Sequence, residues 1–322
     1  MKAILVTGGA GYIGSHIIEL LLKKSFKVVI IDNLSTGYMS LVNKKAKFFK
    51  VNINKQKLVK SIITQHNIDS VIHLAAKLNV LESMKKPKIY YKNNITGTLS
   101  LLKACEDTKV KNFLFSSTCA IYSDKISHAK ETSQKKPQSI YGITKLKCEK
   151  EIKKKFKDKK INYGILRYFN VAGASPSKKI GQINKNGQLF KNLSLAVKRK
   201  KPKINLYGNS YNTVDGTCER DFIHVSDLAD LHIRTLIKIN KERKSLILNC
   251  GYGKSFSVLR VIKEFEKISN KKIHINFKNK RKGDMKKVVA NIDKLKKILK
   301  WSPKYSNLKK IIKSSIEWEK KL

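Results

Sequence analysis

An apolar run, Ala3-Ile4-Leu5-Val6, breaks into Thr7-Gly8-Gly9-Ala10-Gly11-Tyr12-Ile13-Gly14, and a helical pattern then continues from Tyr12 to about Lys24. Strand, glycine-rich turn and helix in that order are the parts of a dinucleotide-binding βαβ unit. Gly8 permits the tight turn. Gly11 lets the backbone approach a pyrophosphate, which the free N–H groups at the helix start attract, and Gly14 lets the helix lie close to the strand. A second apolar run, Val28-Val29-Ile30-Ile31, ends at Asp32. A carboxylate about 20 residues on binds the adenosine ribose hydroxyls and repels a 2′-phosphate, so the pattern favours NAD over NADP.

The chain has 322 residues and 41% hydrophobic content, ample for one large or two fused domains. No signal peptide is expected, since the chain enters its first strand after one Lys, and no apolar run reaches the length of a membrane span. Five cysteines (Cys105, Cys119, Cys148, Cys218 and Cys250) contain no C-x-x-C pair, which reads as reduced thiols in a cytoplasmic protein. No metal-ligand spacing occurs among Cys and His, so no metal is expected. The formal charge of +47 raises the question of nucleic acid. However, only seven of the 70 basic residues are Arg, and the lysines are spread over most of the chain. A nucleic-acid surface brings Arg and interleaved aromatics, so the lysines read as solvated positions and no specific nucleic-acid binding is expected.

Apolar β-type runs recur at 48–51, 71–74, 113–115 and 163–166, with helical stretches near 56–66, 88–106 and 139–157. Such alternation predicts an α/β fold, a doubly wound parallel Rossmann sheet with helices on both faces. From 175 to 191 the chain reads as a polar loop, and beyond it short strands mix with helices, the last of them over 308–318. The expected organisation is a dinucleotide-binding domain at 1–173 and a smaller mixed α/β substrate domain at 174–322. The two are interleaved, because a strand at 246–250 can return to the large sheet.

A second constellation adds chemistry. Ser116-Ser117-Thr118 closes the apolar strand at Phe113–Phe115, and Tyr141-Gly142-Ile143-Thr144-Lys145 follows about twenty residues later. Tyr and Lys at i and i+4 share a helix face. An ammonium near a phenol favours the phenolate, which predicts a Tyr141 pKa drawn towards neutrality and a usable general base, with a Thr hydroxyl to relay or orient the proton. With Lys at about one position in five, twelve tyrosines produce about two Y-x-x-x-K matches by chance, and there are two: Tyr141/Lys145 and Tyr305/Lys309. Position decides between them. The first pair follows a strand end, where a Rossmann sheet places its ligand site, and the second lies far past the cofactor fold.

Glycines at 8, 11 and 14 led by Thr7 are spaced as in the extended short-chain dehydrogenase/reductase superfamily. Over nearly its full length the chain resembles the UDP-glucose 4-epimerases of that superfamily. The resemblance rests on Thr7–His16, Asp32-Asn33-Leu34-Ser35, Asn93-Asn94-Ile95-Thr96-Gly97-Thr98, Phe115–Thr118, Leu166-Arg167-Tyr168-Phe169-Asn170, Asp215–Ala229 and Arg281-Lys282-Gly283-Asp284. Tyr168-Phe169-Asn170 together with Asp215-Gly216-Thr217-Cys218-Glu219-Arg220-Asp221 narrows it to the epimerases. The resemblance implies that NAD is held by Gly8, Gly11, Tyr12, Ile13, Gly14, Asp32, Asn33, Asn52, Ile53, Asn93, Ser116, Lys145 and Tyr168. Tyr141, Lys145 and Thr118 would carry the proton transfer. Asn170, Arg220 and Arg281 would hold the diphosphate of a UDP-hexose, Asp284 the uridine ribose, and Tyr207 and Val288 would line the substrate site. Scarce Arg at positions 220 and 281 suits bidentate anion recognition. The plainer reading of both is surface charge or an ion pair with a neighbouring Asp.

The implied reaction is an isomerisation in carbohydrate and galactose metabolism. Hydride leaves sugar C4 for tightly bound NAD⁺, the 4-keto sugar turns, and hydride returns to its other face. A homodimer is implied, through the helices at 88–106 and 139–157. The chain departs from the family's pattern at several points. Asn52 replaces an Asp near the adenine, Ser123 replaces a Gly, Asn186-Gly187-Gln188-Leu189-Phe190 fits poorly where a loop closes over the diphosphate, and Val288 replaces a bulky Tyr beside the sugar. A smaller residue at 288 could admit an N-acetylhexosamine, and a uronate 4-epimerase is the other variant. A 4,6-dehydratase would need an Asp-Glu pair after Thr118, where Cys119-Ala120 stands, and a decarboxylase would need a Glu there too. A non-catalytic NAD sensor would be expected to lack Tyr141 or Lys145. The histidines, His73 and His224 among them, read as structural.

Overall fold

A computed structural model describes residues 3–184, 188–281 and 284–322. The elements run β1 (Ala3–Thr7), α1 (Tyr12–Lys23), β2 (Lys27–Asp32), β3 (Lys47–Lys50), α2 (Gln56–Gln65), β4 (Ile68–His73), α3 (Val80–Lys85), α4 (Pro87–Tyr90), a π-helical turn (Tyr91–Thr96), α5 (Gly97–Glu106), β5 (Asn112–Thr118), β6 (His128–Ala129), α6 (Ile140–Phe156), β7 (Asn162–Tyr168) and β8 (Asn170–Ala172). They continue with α7 (Leu189–Lys198), β9 (Lys203–Tyr207), β10 (Glu219–Arg220), β11 (Phe222–His224), α8 (Val225–Glu242), β12 (Leu246–Cys250), β13 (Phe256–Ser257), α9 (Val258–Ser269), β14 (His274–Lys278), β15 (Lys287–Ala290), α10 (Asp293–Leu299) and α11 (Leu308–Lys321). The chain divides into two compact units. One comprises 1–121, 135–167 and 229–248, and the other 122–134, 168–228 and 249–322. The chain passes between the units at 121/122, 134/135, 167/168, 228/229 and 248/249.

The first unit carries a seven-stranded sheet ordered β12-β7-β5-β4-β1-β2-β3. The pairs β1–β2, β1–β4, β2–β3 and β4–β5 are parallel, as expected of apolar strands separated by helices. Strand β12, at 246–250, stands at the edge of this sheet. One face packs Leu5, Val29, Val71 and Phe113 against Ile62 and Ile63 of α2, Leu101 and Leu102 of α5, and Ile152 and Phe156 of α6. Ile17, Ile18 and Leu21 on α1 are equally buried. Each such side chain contributes roughly 1.5–3 kcal/mol of burial.

The expected helix over 88–106 is interrupted. Six residues from Tyr91 to Thr96 form a π-helical turn between α4 and α5. These residues include two Asn, an Ile and a Thr, all weak helix formers. Asn94 offers its amide to non-helical partners instead. It accepts from the Lys77 N–H at 2.8 Å, donates to the Lys77 carbonyl at 3.0 Å, and donates to Thr144 Oγ1 at 3.2 Å.

The second unit holds a four-stranded sheet, β13-β10-β15-β6, and two parallel pairs, β11–β8 and β14–β9. Phe190 of α7 stacks its ring near Phe222 and Phe265. A buried ion pair, Lys191 Nζ to Glu319 Oε2 at 2.5 Å, ties α7 to α11. Helix α7 starts at Leu189, two residues before the predicted loop ends, because Gln188 is extended and the pattern from Leu189 puts Phe190, Leu193, Ala196 and Val197 on one buried face. Among the described residues no helix is long and apolar enough to cross a membrane, and no group of three or more His, Cys, Asp or Glu is placed to hold a metal ion.

Candidate functional site

The glycine turn of the first unit is built for close approach. Gly8 has φ +74° and lies against the Leu74–Ala75 backbone, where a Cβ would sit 2.6 Å from Ala75 N. A Cβ at Gly14 would strike the Gly8 carbonyl. Gly11 is the N-cap of α1, and no side chain caps that helix start, which leaves it available to an anion. Asp32 ends β2 beside this turn and is buried. Its Oδ2 accepts the Ala10 N–H at 3.0 Å and its Oδ1 the Leu34 N–H at 2.8 Å. Burial raises the Asp32 pKa, and these N–H groups oppose the rise. The carboxylate is therefore pre-oriented, with lone pairs left for two ribose hydroxyls.

The other predicted cofactor residues have separate settings. Tyr12 is edge-on to the His16 ring, and Asn33 Oδ1 accepts the Ser35 N–H. Asn52 Oδ1 is used in a local turn, accepting the Asn54 N–H at 3.0 Å, and Ile53 is buried against Gly97. Asn93 lies on the π-helical turn and donates to Asn94 Oδ1. Tyr168 is buried and belongs to the second unit.

Ser116, Thr118, Tyr141 and Lys145 do come together. Helix α6 begins at the Ser139 cap, whose hydroxyl accepts the Gly142 N–H at 3.1 Å, and Gly142 lets the helix lie against the Ala120 carbonyl. Tyr141 is thereby brought to Thr118, and the two side chains are hydrogen-bonded. Thr118 Oγ1 also accepts the Ala120 N–H at 3.1 Å. The Lys145 ammonium donates to the Ser116 carbonyl at 2.7 Å and to Ser116 Oγ at 3.3 Å, and it lies 4.7 Å from the centre of the Phe115 ring.

The electrostatics differ from the expectation. Burial pushes the Tyr141 phenol above its ordinary value, opposed by the Thr118 hydrogen bond. Burial also lowers Lys145 to about 8. The predicted fall of the Tyr141 pKa is absent from the protein alone, because desolvation outweighs an ammonium that is committed to Ser116.

Reasoning from sequence missed three partners here. Ser117 donates to Glu149 Oε1 at 2.5 Å, and the Arg167 Nε and Nη2 donate to the two Glu149 oxygens at 2.9 and 2.7 Å. The available signal was position: Glu149 lies one turn beyond Lys145, itself one turn beyond Tyr141.

In the second unit Asn170 lies on β8, Tyr207 on β9, Arg220 on β10 and Val288 on β15, while Arg281 and Asp284 lie between β14 and β15. Arg220 pairs in register with Val288 across β10 and β15, and the Asn170 N–H donates to the Asp221 carbonyl next to Arg220. Arg220 Nη1 donates to the Glu219 carbonyl at 2.9 Å, and Nη2 lies 4.0 Å from Asp284 Oδ1, so the plainer ion-pair reading is present in its loosest form. The Arg281 guanidinium stacks 3.6 Å above the Tyr207 ring, and its buried Nε has no hydrogen-bond partner among the described residues. An unpaired buried guanidinium N–H is a donor waiting for an acceptor, and an anionic oxygen satisfies it. Val288 is fully buried. Asn186, Gly187, Lys282 and Gly283 lie outside the described residues. His73 bridges Thr7 and Thr98, and His224 pairs with Ser314 and stacks on Tyr305.

Residues 4–251 match the model of the NAD dependent epimerase/dehydratase family. The chain belongs to that family. It is 37% identical over 321 residues to a UDP-glucose 4-epimerase of Azospirillum brasilense, covering 99% of this chain and 92% of the relative. The crystal structure of a UDP-glucose 4-epimerase matches it with a TM-score of 0.94 at 38% identity, over 99% of this chain and 98% of the other. The UDP-Glc/GlcNAc 4-epimerase of Campylobacter jejuni matches with a TM-score of 0.86 at 36% identity, over the whole of both chains.

Proposed function

We propose that the protein is an NAD-dependent UDP-sugar 4-epimerase that interconverts UDP-glucose and UDP-galactose. The observation that carries this reading is the grouping at the end of β5, with Thr118 bonded to Tyr141 and Ser116 bonded to Lys145, in a chain where Cys119-Ala120 follows Thr118 in place of an acid pair. Gly8, Gly11, Gly14, Tyr12 and Ile13 would hold the NAD pyrophosphate, Asp32 and Asn33 the adenosine ribose, Asn52 and Ile53 the adenine side, and Asn93, Ser116, Lys145 and Tyr168 the remainder. NAD⁺ bound there would take hydride from sugar C4, return it to the opposite face, and add a positive charge that favours the Tyr141 phenolate.

Tyr141 takes the proton of the sugar 4-hydroxyl and gives it back, and Thr118 holds the phenol in place for both transfers. Lys145, protonated and fixed by Ser116, stabilises the phenolate electrostatically. Arg220 and Arg281 hold the diphosphate with Asn170, and Asp284 holds the uridine ribose. Anchoring at the diphosphate leaves the hexose free to turn. Tyr207 supports Arg281 by stacking.

Val288 favours a broader sugar range. A side chain at 288 smaller than a Tyr would make room for an N-acetyl group, and the similar Campylobacter jejuni protein is named for both sugars. Turnover of UDP-N-acetylglucosamine more than about 100-fold below that of UDP-glucose would count against this.

A homodimer acting in the cytoplasm completes the reading. Large apolar side chains are exposed on neighbouring helices of the first unit, among them Leu81 and Met84 on α3, Ile89 on α4 and Ile143 on α6. Exposed apolar side chains on such helices are what a second copy would cover. All five cysteines are buried and none forms a disulfide among the described residues, as suits a reducing compartment. The test is incubation with UDP-galactose, with and without added NAD. The reading predicts conversion to UDP-glucose that Tyr141→Phe abolishes. No conversion of any UDP-hexose by protein with NAD demonstrably bound would refute it.

A further inference from the structure

Three consecutive residues at the carboxyl end of β5 each hold one residue of a single stripe on α6. Ser116 holds Lys145, Ser117 holds Glu149 and Thr118 holds Tyr141. Residues 141, 145 and 149 are spaced i, i+4 and i+8, so they stand one above another on the helix. Two of the three contacts belong to the reacting groups. The third belongs to a buried ion pair, in which Arg167 on β7 is 0% exposed and Glu149 is 1% exposed.

Stability alone explains that pair poorly. A buried ion pair loses in desolvation about what it gains in attraction, and well-packed apolar residues at such a site are commonly as stable. The geometry offers another role. The Glu149 carboxylate is gripped bidentately by Arg167, which fixes it on the sheet, and the same carboxylate accepts the Ser117 hydroxyl. Strand, helix and neighbouring strand are thus locked at the level of the residues between Ser116 and Thr118.

We propose that Glu149 is a positioning residue of the reaction: through Ser117 and Arg167 it sets the register of α6 against the end of β5, and so places Tyr141 and Lys145 for proton transfer. This rests on the epimerase reading above. A second effect follows from charge. Burial lowers the Lys145 ammonium, Cys148 and Glu149 on its own helix raise it, and the ammonium in turn lowers His73 on β4; the cations that face Glu149 are Arg167 and Lys135. Without the carboxylate the ammonium loses its proton at lower pH.

The test compares four proteins: wild type, Tyr141→Phe, Glu149→Gln, and the double variant Glu149→Leu/Arg167→Met, which replaces the pair by apolar residues of similar volume and keeps the fold if the single variant does not. We expect the double variant to melt within a few degrees of wild type. Its KM should be nearly unchanged, while kcat falls about 100-fold, the cost of a misplaced reacting group. Amide hydrogen exchange at 116–118, measured without any ligand, should quicken in the double variant. In Glu149→Gln the alkaline limb of kcat/KM should move to lower pH. Wild-type kcat and wild-type exchange at 116–118 in the double variant would overturn the proposal, as would loss of melting temperature with no loss of kcat. An inactive wild type, or an active Tyr141→Phe, would instead sink the epimerase reading and this proposal with it.

Discussion

The Lys145 ammonium donates to the Ser116 carbonyl at 2.7 Å, from the same helix face that carries Tyr141 one turn earlier. A carbonyl and a hydroxyl of one residue take up the cation, so its influence on Tyr141 is exerted through space. Burial lowers this ammonium to about 8, and activity that depends on its charge should therefore decline as pH rises through about 8. Lys145→Met should lower kcat by about 100-fold or more and abolish that alkaline limb. A pH–rate profile of the variant that keeps a limb near 8 would assign the limb to another group.

Thr118 accepts the Ala120 N–H and is hydrogen-bonded to Tyr141, and that second bond opposes the rise that burial imposes on the phenol. Thr118→Val keeps the shape and removes both. The phenol then rises further, so the acid limb of kcat/KM should move to higher pH and kcat should fall by about 10- to 100-fold, with Thr118→Ser restoring most of it. Equal losses in Val and Ser variants would show that the methyl group matters and the hydroxyl does not.

The parallel sheet was legible because strands buried on both faces must be apolar throughout, and Ala3–Val6, Val28–Ile31 and Phe113–Phe115 are. Tyr141 and Lys145 were separable from the chance pair Tyr305/Lys309 only by their place after a strand end. Two things were not legible. The direction of the Tyr141 shift depends on desolvation, a property of the packed site that the i, i+4 spacing does not encode. Glu149 was hidden by composition: an acidic residue on a helix bearing Lys145, Lys147, Lys150 and Lys153 reads as a surface ion-pair former, whereas its partner is Arg167, eighteen residues away on β7. The membership of 122–134 in the second unit was hidden for a related reason. The segment 122–134 is short and unremarkable in composition, yet it contributes β6 to the sheet of the second unit.

Asp32 accepts two backbone N–H groups, one on each carboxylate oxygen. Asp32→Asn turns one of those acceptors into a donor facing an N–H, which should cost about 1–3 kcal/mol of stability. It also removes the charge that repels a 2′-phosphate. We expect weaker NAD binding and a preference for NAD over NADP at least ~10-fold smaller than in wild type. Calorimetric titration of both dinucleotides checks it, and an unchanged ratio would place the discrimination elsewhere.

His73 is fully enclosed, with Nδ1 2.7 Å from Thr7 Oγ1 and Nε2 2.9 Å from Thr98 Oγ1, and burial lowers its pKa to about 3. His16 on α1 is lowered to about 4 in the same way. The unfolded chain protonates both near 6.5, and the folded protein does so only near 3 to 4. Between those values the unfolded state binds more protons, so stability falls as pH falls from 6.5 towards 3. At pH 4.5 the two together should cost on the order of 5 kcal/mol relative to neutral pH. His73→Gln removes one of the two groups. Its stability at pH 7 should be lower than wild type, because the bridge between Thr7 and Thr98 is broken, but its stability should fall less steeply below pH 6.5. Urea titrations at pH 7, 6, 5 and 4.5 measure both slopes. Parallel slopes would mean that His73 is protonated alike in both states, and the acid sensitivity would then belong to His16 and to repulsion within a chain carrying +47 formal charges.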